Sequence, residues 1–511
     1  MQTSQLIAVV LTVAGFVAAF FAARSAKRNG SSSVLDLDGD LVAADLLEAP
    51  AIATTEPPIV ASFERVFLGV LLLYALLDRG FAWFHIPGTP LFVGEITLLF
   101  GVVTMMATRT NLLASVRRST PLKTLAMWMA WGMVLLLIQL PVYGLDAVRD
   151  SAIWYYGLVA ILVVFLLTSD PTRFGRWTDA FTAAIPIILV WTPIAMVLAV
   201  LLGGGAPFVP DSQTPLFFHR FGNMGVMAGS ILAFIWLVDR ERGRFTPNQR
   251  IGWSTLAVVA ILAVGFQNRG GMVSAVVGMV LVVVFMRSRR GEMVLAVGAV
   301  VIGLASLAIL TDVTIPLEGG REISTAQMMD NIGSIIDPSS GDERQTGTTQ
   351  WRLELWTKVL DDVIPEHPVD GFGPGPDLGA RYGVTTNEDT PLRNPHNSHL
   401  SVVARMGFVG FGLWVLLWIG WAFQLMVLRG RLLAAGRTAE AGVTAWLVIS
   451  VAMLLINAIF DPTLEGPQVA FWLWTFFGVG TAMPLVYSGI SGRAWAHATG
   501  GDRDAAVGTR V

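Results

Sequence analysis

Apolar runs of bilayer-spanning length recur along almost the whole chain, and they leave little choice of fold. A helix rises 1.5 Å per residue, so it needs about 20 apolar residues to cross a hydrocarbon core of roughly 30 Å. Runs near that length lie at about residues 5–23, 63–78, 90–107, 123–140, 153–168, 180–202, 223–238, 251–267, 270–286, 293–311, 398–428, 441–460 and 468–488. Only 14% of the 511 residues are charged, against about 25% in a soluble domain. The expected fold is an all-α polytopic membrane protein with about twelve core transmembrane helices and one further helix at the N-terminus. The net charge of -3 points to no nucleic-acid partner, and the absence of cysteine excludes disulfides, thiolate metal sites and a cysteine nucleophile.

The basic residues assign an orientation. Alternate connections hold Arg24, Lys27 and Arg28; Arg109, Arg117, Arg118 and Lys123; Arg173 and Arg176; Arg240, Arg242, Arg244 and Arg250; Arg287, Arg289 and Arg290; and Arg429, Arg431 and Arg437, with Arg493 in the tail. The intervening short connections hold only Arg79, Arg149, Arg220 and Arg269. Cytoplasmic loops carry the excess of Lys and Arg, so the first set is expected inside and a long loop over residues 311–395 outside. The segments expected are an uncleaved N-terminal helix over 1–28, a Ser-rich and then acidic linker over 29–62, a membrane domain over 63–490 and a disordered cytoplasmic tail over 491–511.

The outside loop concentrates the polar chemistry. Its pattern turns helical from Gln350 to Ile364, with Trp356, Val359, Leu360 and Val363 in one arc and Glu354, Lys358, Asp361 and Asp362 opposite. Thr348 or Thr349 is the expected cap, and Pro365 the expected stop. Arg352 falls within the apolar arc. Either it snorkels or it points at an anion, which a first-turn position also favours. The loop continues through Gly371-Phe372-Gly373-Pro374-Gly375, a run that permits tight backbone and on its own reads as a turn.

At Asn394-Pro395-His396, asparagine can cap the next helix and proline can open it, which places His396 in the first turn. The positive end of the helix disfavours imidazolium, so His396 is expected neutral and able to accept a proton. A histidine satisfying a loop carbonyl fits the same spacing. His396 and His399 could also share a metal, but no complete ligand set is recognisable, although Glu388 and Asp389 are near in sequence. Arg220 and Arg269 stand at outside helix ends beside glycine. Singly they read as headgroup anchors. With Arg352 they suggest a held dianion such as a pyrophosphate, which guanidinium binds in forked contacts.

These features together resemble the O-antigen ligase and polymerase family of bacterial membrane glycosyltransferases, over roughly residues 63–490. The resemblance rests on Arg352-Leu353-Glu354-Leu355-Trp356, the glycine run, His396-Asn397-Ser398-His399-Leu400 and Gly407-Phe408-Val409-Gly410. Asn268-Arg269-Gly270 looks like the family's Ser-Arg-Gly element with Asn in place of Ser, and Phe460-Asp461-Pro462-Thr463-Leu464-Glu465 like its last outside turn. The resemblance implies a type C glycosyltransferase fold in the bacterial cytoplasmic membrane, working on the extracytoplasmic face. It implies a glycan donor on a polyprenyl pyrophosphate, a glycan or lipid-linked sugar acceptor, membrane lipids as surroundings, and no cofactor or metal. It gives Arg269 and Arg352, with Arg220, to the pyrophosphate and His396 to the acceptor hydroxyl. Gly371, Gly373, Gly375 and Asn397 would shape the loop. Ligase is favoured over polymerase, and a transporter or flippase of lipid-linked glycan is the alternative from another class.

Overall fold

The computed structural model describes residues 57–108, 112–202, 207–212, 214–217, 219–265, 268–286, 298, 315–316, 322–323, 343–383 and 393–498. The expected N-terminal helix, almost all of the linker, nearly all of the run at 293–311, most of the early outside loop, Glu388 and Asp389, and the end of the tail lie outside the described residues.

Each apolar run within the described residues is helical over most of its length. The helices are α1 (Pro58–Ala82), α2 (Val93–Ala107), α3 (Thr120–Tyr143), α4 (Leu145–Asp150), α5 (Ala152–Ser169), α6 (Arg173–Leu202), α7 (Phe221–Arg242), α8 (Pro247–Gly265), α9 (Arg269–Phe285), α10 (Glu343–Glu366), α11 (Ser398–Ala434), α12 (Thr438–Phe460) and α13 (Pro467–Ala498). Among the described residues, eight of them are long and apolar enough to cross a bilayer: α1, α3, α5, α6, α7, α11, α12 and α13. The described residues fit an all-α polytopic membrane protein, with one short antiparallel pair, Ile315–Pro316 with Glu322–Ile323; α2 and α9 are shorter apolar helices.

Lipid tails give two apolar helices no reason to leave them for each other, so association inside a membrane depends on close packing. Here that packing is aromatic. Trp128 of α3, Trp414, Trp418 and Trp421 of α11, and Trp474 and Phe477 of α13 pack in one cluster. Ring centroids are 5.0 Å apart for Trp128–Trp414, 5.6 Å for Trp418–Trp474 and 5.8 Å for Trp421–Phe477. At the Glu64 end of α1, buried Arg173 pairs with Glu64 at 2.9 Å and Trp177 donates to the same carboxylate at 2.7 Å. Asp78 and the site lie at the other end of that helix.

α11 is too long for one span: its 37 residues would rise about 55 Å against a core of roughly 30 Å. It breaks at Gly407, with φ 62° and ψ -169°. Below the break, Phe408 to Leu428 rises about 30 Å, a full crossing. The segment that follows α10 docks on the break itself. The Phe408 N–H donates to Pro368 O at 2.8 Å, the Phe372 N–H donates to Ala404 O at 2.7 Å, and Gly407 lies against the Val369 carbonyl. A side chain at Gly407 would overlap that carbonyl in a backbone conformation that L residues avoid. Gly407→Ala is therefore expected to cost about 1–3 kcal/mol, read as a lower melting temperature in detergent. Gly412→Ala, which meets nothing within 4 Å, should melt like the parent.

The loop helix differs from its expected bounds. α10 runs Glu343–Glu366, so it begins before Thr348 and Thr349, and Arg352 stands about two turns inside it rather than in the first turn. Pro365 does not stop it: in the last turn its missing N–H forfeits only the bond to the Asp361 carbonyl. Val359 and Val363 are fully buried, together with Leu355. Trp356 and Leu360 are partly buried, whereas Glu354, Lys358 and Asp361 face outward.

Candidate functional site

Four helix ends meet at one face of the bundle. Gly271 in the first turn of α9 approaches Gly222 in the first turn of α7 so closely that an added Cβ would sit 2.5 Å from the Gly222 Cα. Gly270 packs on Phe460 at the end of α12. The Asn268 side chain caps α9, accepting from the Gly271 N–H at 2.8 Å, which leaves Arg269 as the first helical residue. α1 supplies the fourth end. Asp78 interrupts it with φ 44° and ψ -120°, and its buried carboxylate accepts from the Arg220 N–H at 2.6 Å and from Asn223 Nδ2 at 3.1 Å. Asn457 donates in turn to Asn223 Oδ1 at 3.2 Å. A non-glycine residue at positive φ persists only where its surroundings over-determine it, and here the surroundings are the segment that carries Arg220. The Arg220 guanidinium forms an ion pair with Asp461.

The segment that leads into α11 brings the histidine to this face. His396 is not in the first turn of α11, because the helix starts at Ser398 and its cap is Asn397, which accepts from the N–H groups of His399 at 3.0 Å and Leu400 at 3.1 Å. Asn394 instead accepts from the His396 N–H at 3.2 Å, which closes a local turn and leaves His396 at φ 51°. Asn394 and Asn397 both stand just before the helix, so the sequence alone fits either as its cap. α10 holds the segment down. Trp356 Nε1–H donates to Pro395 O at 2.7 Å, and the Trp351 ring meets the imidazole edge-on at 5.6 Å. Ser398 ties the cap to the turn between α12 and α13, donating to Asp461 O at 3.3 Å and accepting from the Leu464 N–H at 3.2 Å.

His396, Asp461, Arg352, Arg220 and Arg79 are close enough to act on one another's charge. Burial pushes the His396 imidazole down to about 4, from an ordinary value of 6.5. The Asp461 carboxylate opposes that shift, while Arg352, Arg220 and Arg79 reinforce it. The neutral state expected of His396 thus has burial as its main cause rather than the helix terminus. Glu465 completes the turn, accepting from Ser401 Oγ at 2.5 Å and Asn394 Nδ2 at 3.0 Å, and burial raises its pKa.

Other candidates are engaged elsewhere. His399 accepts from Trp414 Nε1–H at its Nδ1 (3.1 Å) and lies 2.9 Å from the Leu455 carbonyl through Nε2. Both ring nitrogens are occupied, so it is not a partner for a metal beside His396. Gly371, Gly373 and Gly375 have φ of 63°, 73° and 123° and pack against Ala404, Gln139 and Tyr143. They fit the loop onto α11 and α3. Arg405 and Arg393 clamp the same turn: Arg405 reaches Asp150 at 2.9 Å and Pro376 O at 2.7 Å, and Arg393 reaches Asp150 at 3.1 Å. Arg79, Asp78, Asp461 and Glu465 are the site members that residue-by-residue reading passed over. In the sequence Arg79 is marked only as one of four isolated arginines expected outside, and Asp461 and Glu465 only within the last turn expected on that side.

Residues 264–415 match the family model described as O-antigen ligase, and the match supports assigning the chain to that family. The matched stretch contains Arg269, Arg352, the glycine run and His396. It does not reach Arg79, Arg220 or Asp461, which the fold brings to the same place. No curated protein matches the chain.

Proposed function

Starting from that family assignment, with its ligase- or polymerase-type activity in surface polysaccharide assembly, we propose that the protein transfers a glycan from a polyprenyl-pyrophosphate carrier to an acceptor hydroxyl at the outer face of the cytoplasmic membrane. The observation that supports this most is the grouping of one neutral histidine with three arginines and a carboxylate at a face built from helix ends. Arg352, Arg220, Arg79 and Arg269 would hold the pyrophosphate. Its leaving oxygen gains charge as the anomeric C–O bond breaks, and guanidinium groups in this partly buried site offset that charge. His396 would take the proton of the acceptor hydroxyl as its oxygen bonds to the anomeric carbon. Attack opposite the leaving group inverts that centre. Asp461 favours the imidazolium so formed and holds Arg220 in place.

The ligase reading is preferred, with polymerase as the alternative; the two differ in the acceptor. Deletion of the gene separates them. Loss of a ligase leaves long glycan chains on the carrier and none on the final acceptor. Loss of a polymerase leaves single repeat units on the carrier and on the surface. Unchanged surface glycan and unchanged carrier-linked intermediates would remove both.

A further inference from the structure

The apolar arc of α10 is wider than the part the protein covers. Beside the buried row of Leu355, Val359 and Val363, Leu353, Leu360 and Ile364 fall within an arc of about 40° at 100° per residue. Leu353 is 53% exposed and Ile364 52% exposed, and Val369 in the following turn is 55% exposed. Glu354, Lys358 and Asp361 occupy the opposite side.

This stripe ends at a defined depth. Pro368 accepts the Phe408 N–H at 2.8 Å, and Val369 lies against Gly407, where the continuous part of α11 begins. From there the outer surface of α11 is exposed and apolar through Phe408, Val409, Leu416, Ile419 and Phe423, the surface that a membrane span turns to lipid. The stripe on α10 and the lipid-facing surface of α11 therefore adjoin at Val369 and Phe408.

We propose that α10 lies in the membrane–water interface, with Leu353, Ile364 and Val369 inserted among lipid and Glu354, Lys358 and Asp361 turned to water. An amphipathic helix with its polar side charged and its other side aliphatic partitions there. The occupant is lipid rather than a protein partner, because the stripe runs on into the surface of a span. The seat fixes Trp351, Arg352 and His396 at headgroup depth. The inference rests on the membrane fold and does not depend on the proposed reaction.

The chain has no cysteine, so single labels can be placed in the full-length protein. Leu353→Cys, Ile364→Cys, Val369→Cys, Glu354→Cys and Lys358→Cys are each labelled with an environment-sensitive fluorophore and reconstituted into lipid nanodiscs. A phosphatidylcholine carrying a nitroxide high on its acyl chain is then added as quencher. Quenching severalfold stronger at positions 353, 364 and 369 than at 354 and 358 is expected. Equal quenching on both sides would overturn the proposal. So would blue-shifted emission at 353, 364 and 369 that the lipid nitroxide leaves unquenched, since a second copy or another protein would then cover the stripe.

Discussion

His396→Ala lowers glycan transfer by about 10²–10⁴-fold, the usual worth of a positioned general base, and leaves donor binding near that of the parent. The imidazole meets the Trp351 ring edge-on and lies within reach of the charges of Asp461 and the arginines, and Asn394, Pro395 and Asn397 fix its segment through their own bonds. Removing the ring therefore takes away the proton acceptor without releasing the loop. A pH profile gives a second readout. With its pKa held down to about 4, His396 in the free protein stays unprotonated well below the range of an ordinary histidine. The acid limb of kcat/KM, which reports the free enzyme, should lie near that value. A bound pyrophosphate offsets the charges of Arg352, Arg220 and Arg79, which favours imidazolium and raises the pKa. The acid limb of kcat should accordingly fall at higher pH than that of kcat/KM. Near-normal turnover in His396→Ala would leave the residue a structural role only.

Arg352→Lys is expected to be nearly as damaging as Arg352→Ala. Lysine keeps the positive charge and most of the apolar stem, so a residue that merely snorkels would tolerate the change. A forked contact to phosphate oxygens would not, because ammonium lacks the planar pair of donors. Loss of such a charge-assisted bond costs roughly 1.5–3 kcal/mol, or about 10- to 150-fold in rate if the contact acts in the transition state. Arg352 stands inside α10 rather than at its first turn, so the whole effect must come from the side chain, with no share from free backbone N–H groups. Arg269→Lys should behave alike. Arg117→Lys, on the exposed end of the short helix Leu112–Arg118 at the expected cytoplasmic side, serves as control. Parent-like donor affinity and turnover in both Arg352→Lys and Arg269→Lys would make these arginines membrane anchors.

Hydrophobic length made the membrane fold legible, because it follows from solvation of each segment separately. The loop helix was legible for the same reason: its period shows in Val359 and Val363 whatever they pack against. Its ends were not. Capping at Thr348 or Thr349 and a stop at Pro365 are local preferences worth a few kcal/mol at most, and docking of Leu355, Val359 and Val363 onto α11 outweighs them. The choice of Asn397 over Asn394 as cap also depends on contacts far along the chain, through Glu465 and Ser401. The same limit hid part of the site. Asp78 and Arg79 stand at the break near the end of α1, Arg220 caps the start of α7 and Asp461 the end of α12. Only the convergence of those ends around Gly222, Gly270 and Gly271 turns isolated boundary charges into one group. Arg405 illustrates the reverse case: a charge inside a span invites a functional reading, yet its bonds to Asp150 and Pro376 show it fastening the loop.

The most direct test of the account is one reaction. The purified protein is reconstituted in vesicles with a polyprenyl-pyrophosphate-linked glycan and an acceptor sugar lipid, with a chelator present throughout. Appearance of glycan on the acceptor, with release of the polyprenyl pyrophosphate and loss of both in His396→Ala, is the predicted result. Movement of the intact lipid-linked glycan between leaflets with no transfer, or transfer that requires an added divalent ion, would contradict it.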